Sequence, residues 1–269
     1  MFDSLYKLVA EFNFDSKDNL TRRSLTNAGI KNHNTAIFGY NKNVVIAIVE
    51  NASEVESGFT SFESDDQNLW ENAGSFALST DAHCGIKSCN MAPAGVVARN
   101  YFIPVIDQNK KFILSCWIKT NSAAAGTVGE LVLCTIANNG SNLQYPGDTE
   151  ARQSLAFGNT NGQWKYIEVE TDLPGIKNIS GIPLSTDLGI RSFVWNTSGS
   201  TQILIDDLRF YPKDARMSSY THIPLVGVSS MSDENSNCIF YEYDTFGRLK
   251  LTKDQNGKIL EKTDYNYKP

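Results

Sequence analysis

No stretch of this chain approaches the roughly 20 consecutive apolar residues that a helix needs to cross a bilayer, so the sequence offers no helical membrane span. It is also short of positive charge: 24 lysines and arginines stand against 30 aspartates and glutamates, a formal net charge of −6. Nucleic-acid binding draws on a basic face, and that balance, with both signs dispersed along the chain, argues against one. Histidine is scarce, with 3 residues (His33, His83, His222), each in polar or turn sequence and read here as a surface or capping residue. No Cys-x-x-Cys pair occurs among the 5 cysteines, which removes the usual zinc-site spacing. A nucleophile elbow, an HExxH helix, a phosphate-binding loop and a dinucleotide fingerprint are all missing. Met1–Lys7 places Asp3 where an export leader carries basic residues, and no apolar core follows. The expectation is an internal piece of a longer exported protein, without a signal peptide of its own.

What is present is strand sequence. Val44 to Val49 is a continuous apolar run, and Phe112 to Lys119 is another. Trp164 to Val169 alternates in character, and Ile190 to Trp195 and Gln202 to Tyr211 complete the strong set. Loops rich in Gly, Asn, Ser and Thr separate them, such as Asn138–Asn142 and Asn159–Gly162. Short strands divided by frequent turn signals point to an all-β antiparallel sandwich. No long segment carries a helical period; a short helix near residues 2–11 is the one exception considered. Cys116 and Cys134 lie within apolar strands and read as small buried hydrophobes, while Cys84 and Cys89 stand close enough to bridge a turn.

Three regions separate by pattern: residues 1–50 and 213–269, rich in polar turns and hairpins, and residues 51–212, which carry the dense strand set. The flanks resemble each other. Phe12-Asn13-Phe14-Asp15 leads to Leu20 as Tyr241-Glu242-Tyr243-Asp244 leads to Leu249. Each reads as a strand, a tight turn opened by aspartate, and a second strand. Asn256-Gly257 marks a further turn, and Tyr265-Asn266-Tyr267 repeats the aromatic pair.

Tyr241-Glu242-Tyr243-Asp244, Gly247-Arg248 and Leu249 together resemble the YD repeat of RHS-type proteins. Residues 35–64 and 203–269 resemble the C-terminal part of large Bacteroidetes-type cell-surface proteins. That resemblance implies an extracellular or cell-surface location and neighbouring repeats or domains of a larger parent chain as partners. The middle region resembles the jelly-roll carbohydrate-binding modules, with a galactose-binding-like sandwich. Thr60-Ser61-Phe62-Glu63 looks like the opening strand, Asp81–Ser88 like the turn into the next, and Ile203–Tyr211 like the closing strand.

Within that closing strand, Ile203 and Ile205 occupy one face, and Leu208 and Phe210 a face offset by one, so a bulge is expected at Asp206-Asp207. Glu63 with this acidic pair would supply oxygens suited to Ca²⁺. The similar modules carry a structural calcium there, which implies Glu63, Asp206 or Asp207 and a main-chain oxygen near Lys87 as ligands. Sugar recognition commonly uses flat rings beside polar groups. Trp117 and Trp164 read as core, whereas Trp195 and Trp70 border loops and are the candidates for exposed rings on a glycan. A glycoside hydrolase would need two carboxyls roughly 5–10 Å apart in a cleft, and metal binding or surface charge accounts for Glu63, Asp81, Asp206 and Asp207 more simply. The function expected is non-catalytic glycan recognition. The alternative is a structural spacer or assembly module that binds nothing small.

Overall fold

The computed structural model describes residues 9–27, 30–63, 70–73, 76–102, 110–120, 126–138, 143–144, 152–171 and 187–265. In chain order the first strands are β1 (Ala10–Phe14), β2 (Leu20–Asn27), β3 (Ile30–Gly39), β4 (Val44–Glu50), β5 (Gly58–Thr60), β6 (Glu71–Ala73) and β7 (Phe76–Ser79). The next are β8 (Ser88–Met91), β9 (Val96–Phe102), β10 (Phe112–Thr120), β11 (Gly129–Asn138), β12 (Leu143–Gln144), β13 (Arg152–Phe157) and β14 (Lys165–Glu170). The last are β15 (Asp187–Asn196), β16 (Ile203–Pro212), β17 (Arg216–Ile223), β18 (Gly227–Ser232), β19 (Cys238–Tyr243), β20 (Leu249–Asp254) and β21 (Ile259–Lys262). The described residues hold one 3-10 turn and no α-helix. Of the helix considered near residues 2–11, residues 1–8 lie outside the described set, and Ala10 and Glu11 open β1 instead.

Two six-stranded sheets face each other as an antiparallel jelly-roll sandwich. One runs β14-β10-β16-β8-β7 with β5 on β16; the other runs β12-β11-β15-β9-β6 with β13 on β11. Alternation of side chains along each strand turns Phe112, Leu114, Cys116 and Ile118 of β10 inward, with Ile203, Ile205, Leu208 and Phe210 of β16. Leu131 and Leu133 of β11, Ile190 and Val194 of β15, and Val97 and Tyr101 of β9 meet them from the other sheet. Full burial of one such side chain stabilises by about 1.5–3 kcal/mol. The opening strand ends at Thr60, earlier than its apolar sequence suggests, because Phe62 takes a left-handed φ of 60°. It pairs with the closing strand, Thr60 opposite Leu208.

The third sheet is a nine-stranded antiparallel ribbon, β1-β2-β3-β4-β17-β18-β19-β20-β21. Both flanks of the chain contribute to it, and they join where β17 pairs with β4, Met217 opposite Val49 and Ser219 opposite Ala47. Everywhere else along this ribbon each strand pairs with its neighbour in sequence. Four of its turns share one construction. Asp15, Asp233, Asp244 and Asp254 each accept, on Oδ1, the backbone N–H groups two and four residues on, at 2.8–3.0 Å. The residue three positions on is left-handed in each: Asp18, Ser236, Gly247 and Gly257, with φ of 60°, 62°, 74° and 78°. Aspartate mimics a turn by bonding its own following backbone. The two hairpins matched in sequence also match in register: Phe14 faces Leu20 and Tyr243 faces Leu249, each just after a register shift.

The ribbon packs on the sandwich. Ile46, Ala47 and Val49 of β4 and Met217 of β17 form a second core with Phe59, Ile113 and Tyr211, which point away from the sandwich interior. Arg209, fully buried, crosses the same junction. Its Nη1 donates to the carbonyls of Met217 (3.3 Å) and Asp233 (2.9 Å), and its Nη2 donates to Ser219 Oγ (2.9 Å).

Candidate functional site

The acidic pair of the closing strand does lie at a bulge. Trp117 faces Asp206 and Ser115 faces Arg209, so Asp207 and Leu208 together oppose Cys116. Asp207 is the extra residue, held at φ 47°, a left-handed conformation that aspartate tolerates better than most residues. The bulge returns Leu208 and Phe210 to the core and leaves two acids beside the Asp81–Ser88 turn. Asp206 Oδ2 accepts the N–H groups of His83 (2.8 Å) and Cys84 (3.0 Å), and Oδ1 accepts that of Asp207 (2.8 Å). Glu63 Oε1 accepts the N–H groups of Ile86 and Lys87, both at 2.6 Å. Gly85, at φ +73°, leaves room for this: a Cβ there would stand 2.2 Å from Glu63 Oε1.

All three carboxyls are buried: Glu63 is 8%, Asp206 0% and Asp207 2% exposed. Burial, then the adjacent Asp207 carboxylate, pushes Asp206 well above the ordinary carboxylate range. Burial raises Asp207 too, and Arg209 tempers it. Glu63 is raised by burial against the opposing pull of the Lys87 and Ile86 N–H groups. Asp207 Oδ2 has no hydrogen-bond partner among the described residues. Buried like charges with an unused acceptor are costly unless a cation or a proton joins them.

His83 departs from its surface reading. Its ring stacks on Trp117 with centroids 3.6 Å apart and planes 13° apart, and burial followed by Arg209 lowers its pKa to about 4. Trp117 and Trp164 depart from their core reading: both are half-buried on the outer side of β10 and β14, where Tyr166 and His83 pack against them. Strand alternation decides this, since Cys116 and Ile118 take the inward positions beside Trp117. Asp81 is exposed, accepting from Trp164 Nε1 (3.3 Å) and Lys119. Cys84 is bonded to Cys238 of β19 across 154 residues, and Cys89, the partner considered from sequence, is a free thiol in the core. Cys89 points inward from β8, while Cys84 turns toward the ribbon. No local spacing signals a bridge between regions so far apart.

The outer side of the other sheet carries a different surface. Arg191, Phe193 and Trp195 alternate outward along β15, opposite Cys134, Val132 and Glu130 of β11. Trp195 is 37% exposed. Beside it Arg152 pairs with Glu130, and Arg191 Nη1 donates to Asn100 Oδ1 (3.1 Å) while lying 4.0 Å from Glu71. Arg191, and the faces of Phe193 and Glu130, are contributions that sequence alone left unmarked; alternation from Trp195 could have found them. Trp70 is corrected as an exposed ring. It is 5% exposed and packs edge-on to Tyr101 at 6.4 Å, so its faces are spent in the core.

No family model and no curated protein matches the chain. Among solved structures it is similar to the CBM22-1 xylan-binding domain from Paenibacillus barcinonensis, at 13% identity and a TM-score of 0.38 over 57% of this chain and 92% of that one. It is similar to the module TmCBM61, solved with beta-1,4-galactotriose, at 13% identity and 0.30 over 53% and 86%. It is also similar to the enzymatically active domain of tailspike protein 4 of bacteriophage CBA120, at 12% and 0.36, where it spans 56% of this chain but only 20% of that one. Similarity at this level concerns strand arrangement and brings no ligand or activity to this chain.

Proposed function

We propose that the sandwich is a non-catalytic glycan-recognition module of an exported, cell-surface protein, with the outer side of β15 as its binding surface. The observation that carries this reading is Trp195, an exposed ring beside Phe193 and flanked by Arg152–Glu130 and Arg191–Asn100 on a rigid strand face. A flat ring packs on the apolar side of a pyranose while neighbouring polar groups take its hydroxyls. Affinity electrophoresis against a panel of soluble polysaccharides tests it. Retardation by at least one, abolished in Trp195→Ala with the melting temperature unchanged, is the expected result; an equally retarded Trp195→Ala sinks the assignment. The acids Glu63, Asp206 and Asp207 are 8%, 0% and 2% exposed, which argues against a glycosidase built on them.

A structural calcium belongs to the same reading. Three buried carboxylates, Asp207 within electrostatic reach of both Asp206 and Glu63, with Asp207 Oδ2 unpartnered among the described residues, suit a hard dication that takes oxygen ligands. Glu63, Asp207 and the Lys87 carbonyl would hold it, with Asp206 anchoring the turn through its N–H partners. A ligand bound only to the folded state stabilises by about 2.7 kcal/mol at a hundredfold excess over its Kd. EDTA should lower the melting temperature and Ca²⁺ should restore it better than Mg²⁺. A curve indifferent to both, with metal-free protein, removes calcium.

The rival reading, an assembly or spacer module with YD-repeat-like flanks at residues 1–50 and 213–269 around a sandwich at 51–212, has its own observation. Phe12, Phe14, Phe246, Ile259 and Leu260 on the ribbon are 52–75% exposed, and lone hairpins are marginal in water without a covering partner. Concentration-dependent self-association by analytical ultracentrifugation, with no retained polysaccharide, would favour it over glycan binding.

A further inference from the structure

We infer that Cys84, Cys238, His83 and Asp207 form a four-ligand zinc site once the Cys84–Cys238 disulfide is reduced. The inference is independent of the glycan surface. Ligand atoms of His83, Cys84 and Asp207 all lie within 4.8 Å of one another, and Cys238, bonded to Cys84, brings the second sulfur beside this group of three. Two of these groups hold a buried atom that is unused: His83 Nδ1 and Asp207 Oδ2 have no hydrogen-bond partner among the described residues. Asp207 is 98% withdrawn from solvent, being 2% exposed, and both cysteines are 1% exposed.

The donor set is one that zinc favours: two thiolates, an imidazole and a carboxylate, four ligands for a tetrahedral ion. Zinc–sulfur bonds of about 2.3 Å and zinc–nitrogen bonds of about 2.0 Å put ligand atoms roughly 3–4 Å apart, so His83, Cys84 and Asp207 need only draw in from their observed spacing, and Cys238 must swing toward them once its bond to Cys84 is reduced. Trp117 holds the imidazole plane by stacking. Charge balances as well. The two thiolates and Asp207 offset zinc together with Arg209, whose proximity both His83 and Asp207 feel.

The chemistry has two steps. A dithiol gives two electrons and two protons to the Cys84–Cys238 bond and leaves as its own cyclic disulfide. Zn²⁺ then displaces the two thiol protons, which pass to buffer. The bridge from the Asp81–Ser88 turn to β19 is thereby kept in either state, as a disulfide in oxidising surroundings and as a metal cross-link in reducing ones.

The test is a Co²⁺ titration, under anaerobic and calcium-free conditions, of the 269-residue chain reduced with a dithiol and then freed of it. One cobalt per chain, with a thiolate-to-cobalt charge-transfer band and tetrahedral ligand-field bands that zinc abolishes, is expected. Zinc should also restore the melting temperature lost on reduction. His83→Gln and Asp207→Asn should each weaken binding by about tenfold or more; asparagine accepts the left-handed backbone at 207, and the melting of both variants in the oxidised state reports that they fold. The free thiols Cys89, Cys116 and Cys134 are controlled by the double variant Cys84→Ser/Cys238→Ser. Equal cobalt binding in that variant or in the oxidised protein, or no thiolate band in the reduced one, overturns the site. The calcium proposal is read on oxidised protein, so either can fail without the other.

Discussion

The ribbon and the sandwich are both antiparallel, yet they are held by opposite means. In the ribbon, strands pair with their sequence neighbours and the instructions sit in the turns, four of them closed by an aspartate that bonds backbone two and four residues on. Its outer strands bury little; every residue of β21 is exposed. In the sandwich, β16 gathers β5, β8 and β10 from far apart in the chain, and the instruction is burial. Local chemistry suffices for most of the ribbon because every pairing but that of β4 with β17 closes a short loop. A jelly roll closes long loops, whose entropy must be offset by apolar area.

The sharpest way to break this contrast is Phe210→Ala. Phe210 is fully buried, stacked 3.9 Å from Tyr101 and 5.2 Å from Phe112. Removing such a ring from a core costs about 3–5 kcal/mol. Denaturant unfolding followed by tryptophan fluorescence should show that loss, while amide exchange in β19–β21 stays near wild type. Equal loss in both regions would mean that the ribbon has no stability of its own.

Arg209→Ala should have the next largest effect, about 2–4 kcal/mol, because it strands the carbonyls of Met217 and Asp233 and opens a cavity. The loss should fall on the junction: limited proteolysis should cut between the two regions at lower denaturant than in the wild type. Unchanged cleavage would assign the coupling to the apolar contacts of Ile46, Val49 and Met217 and to the Cys84–Cys238 bridge.

The smallest effect is confined to one turn. The Arg248 side chain and then its backbone N–H hold Asp244 below the ordinary aspartate range. A carboxyl depressed on folding gives its stabilisation in full above its unfolded pKa, about 3.9, and loses it as pH falls through the lower folded value. Protection of the Phe246 and Arg248 amides, corrected for intrinsic exchange, should therefore drop below about pH 4 and approach that of Asp244→Asn, with the sandwich amides unmoved. Protection that is flat through this range would remove the carboxylate from the account of the turn.

Sequence was a good guide wherever the physics was local. The runs Val44–Val49, Phe112–Lys119 and Ile190–Trp195 fall inside β4, β10 and β15. The phase change at Asp206-Asp207 marked a real bulge, because alternation has a period of two and one extra residue must show. The likeness of Phe12–Leu20 to Tyr241–Leu249 marked two hairpins of one register. Sequence alone left the Asp233 turn unmarked, although Asp233 and Asn237 repeat the spacing of Asp15 and Asn19 and make the same side-chain bond, at 3.1 Å in both.

By itself the sequence determined the strand class, the hairpins and the bulge, since each is set by backbone preference and alternation within about ten residues. Tertiary structure alone decided which rings face water and which acids meet. Trp70 and Trp195 border similar loops, and only packing buries the first against Tyr101 and leaves the second exposed. Cys84 found Cys238 only because the ribbon folds back onto the sandwich, and His83 found Asp207 because the sandwich sets the Asp81–Ser88 turn against the bulge of β16. Contacts between residues more than a hundred positions apart are products of the whole packed chain, and no periodicity within a segment can carry them.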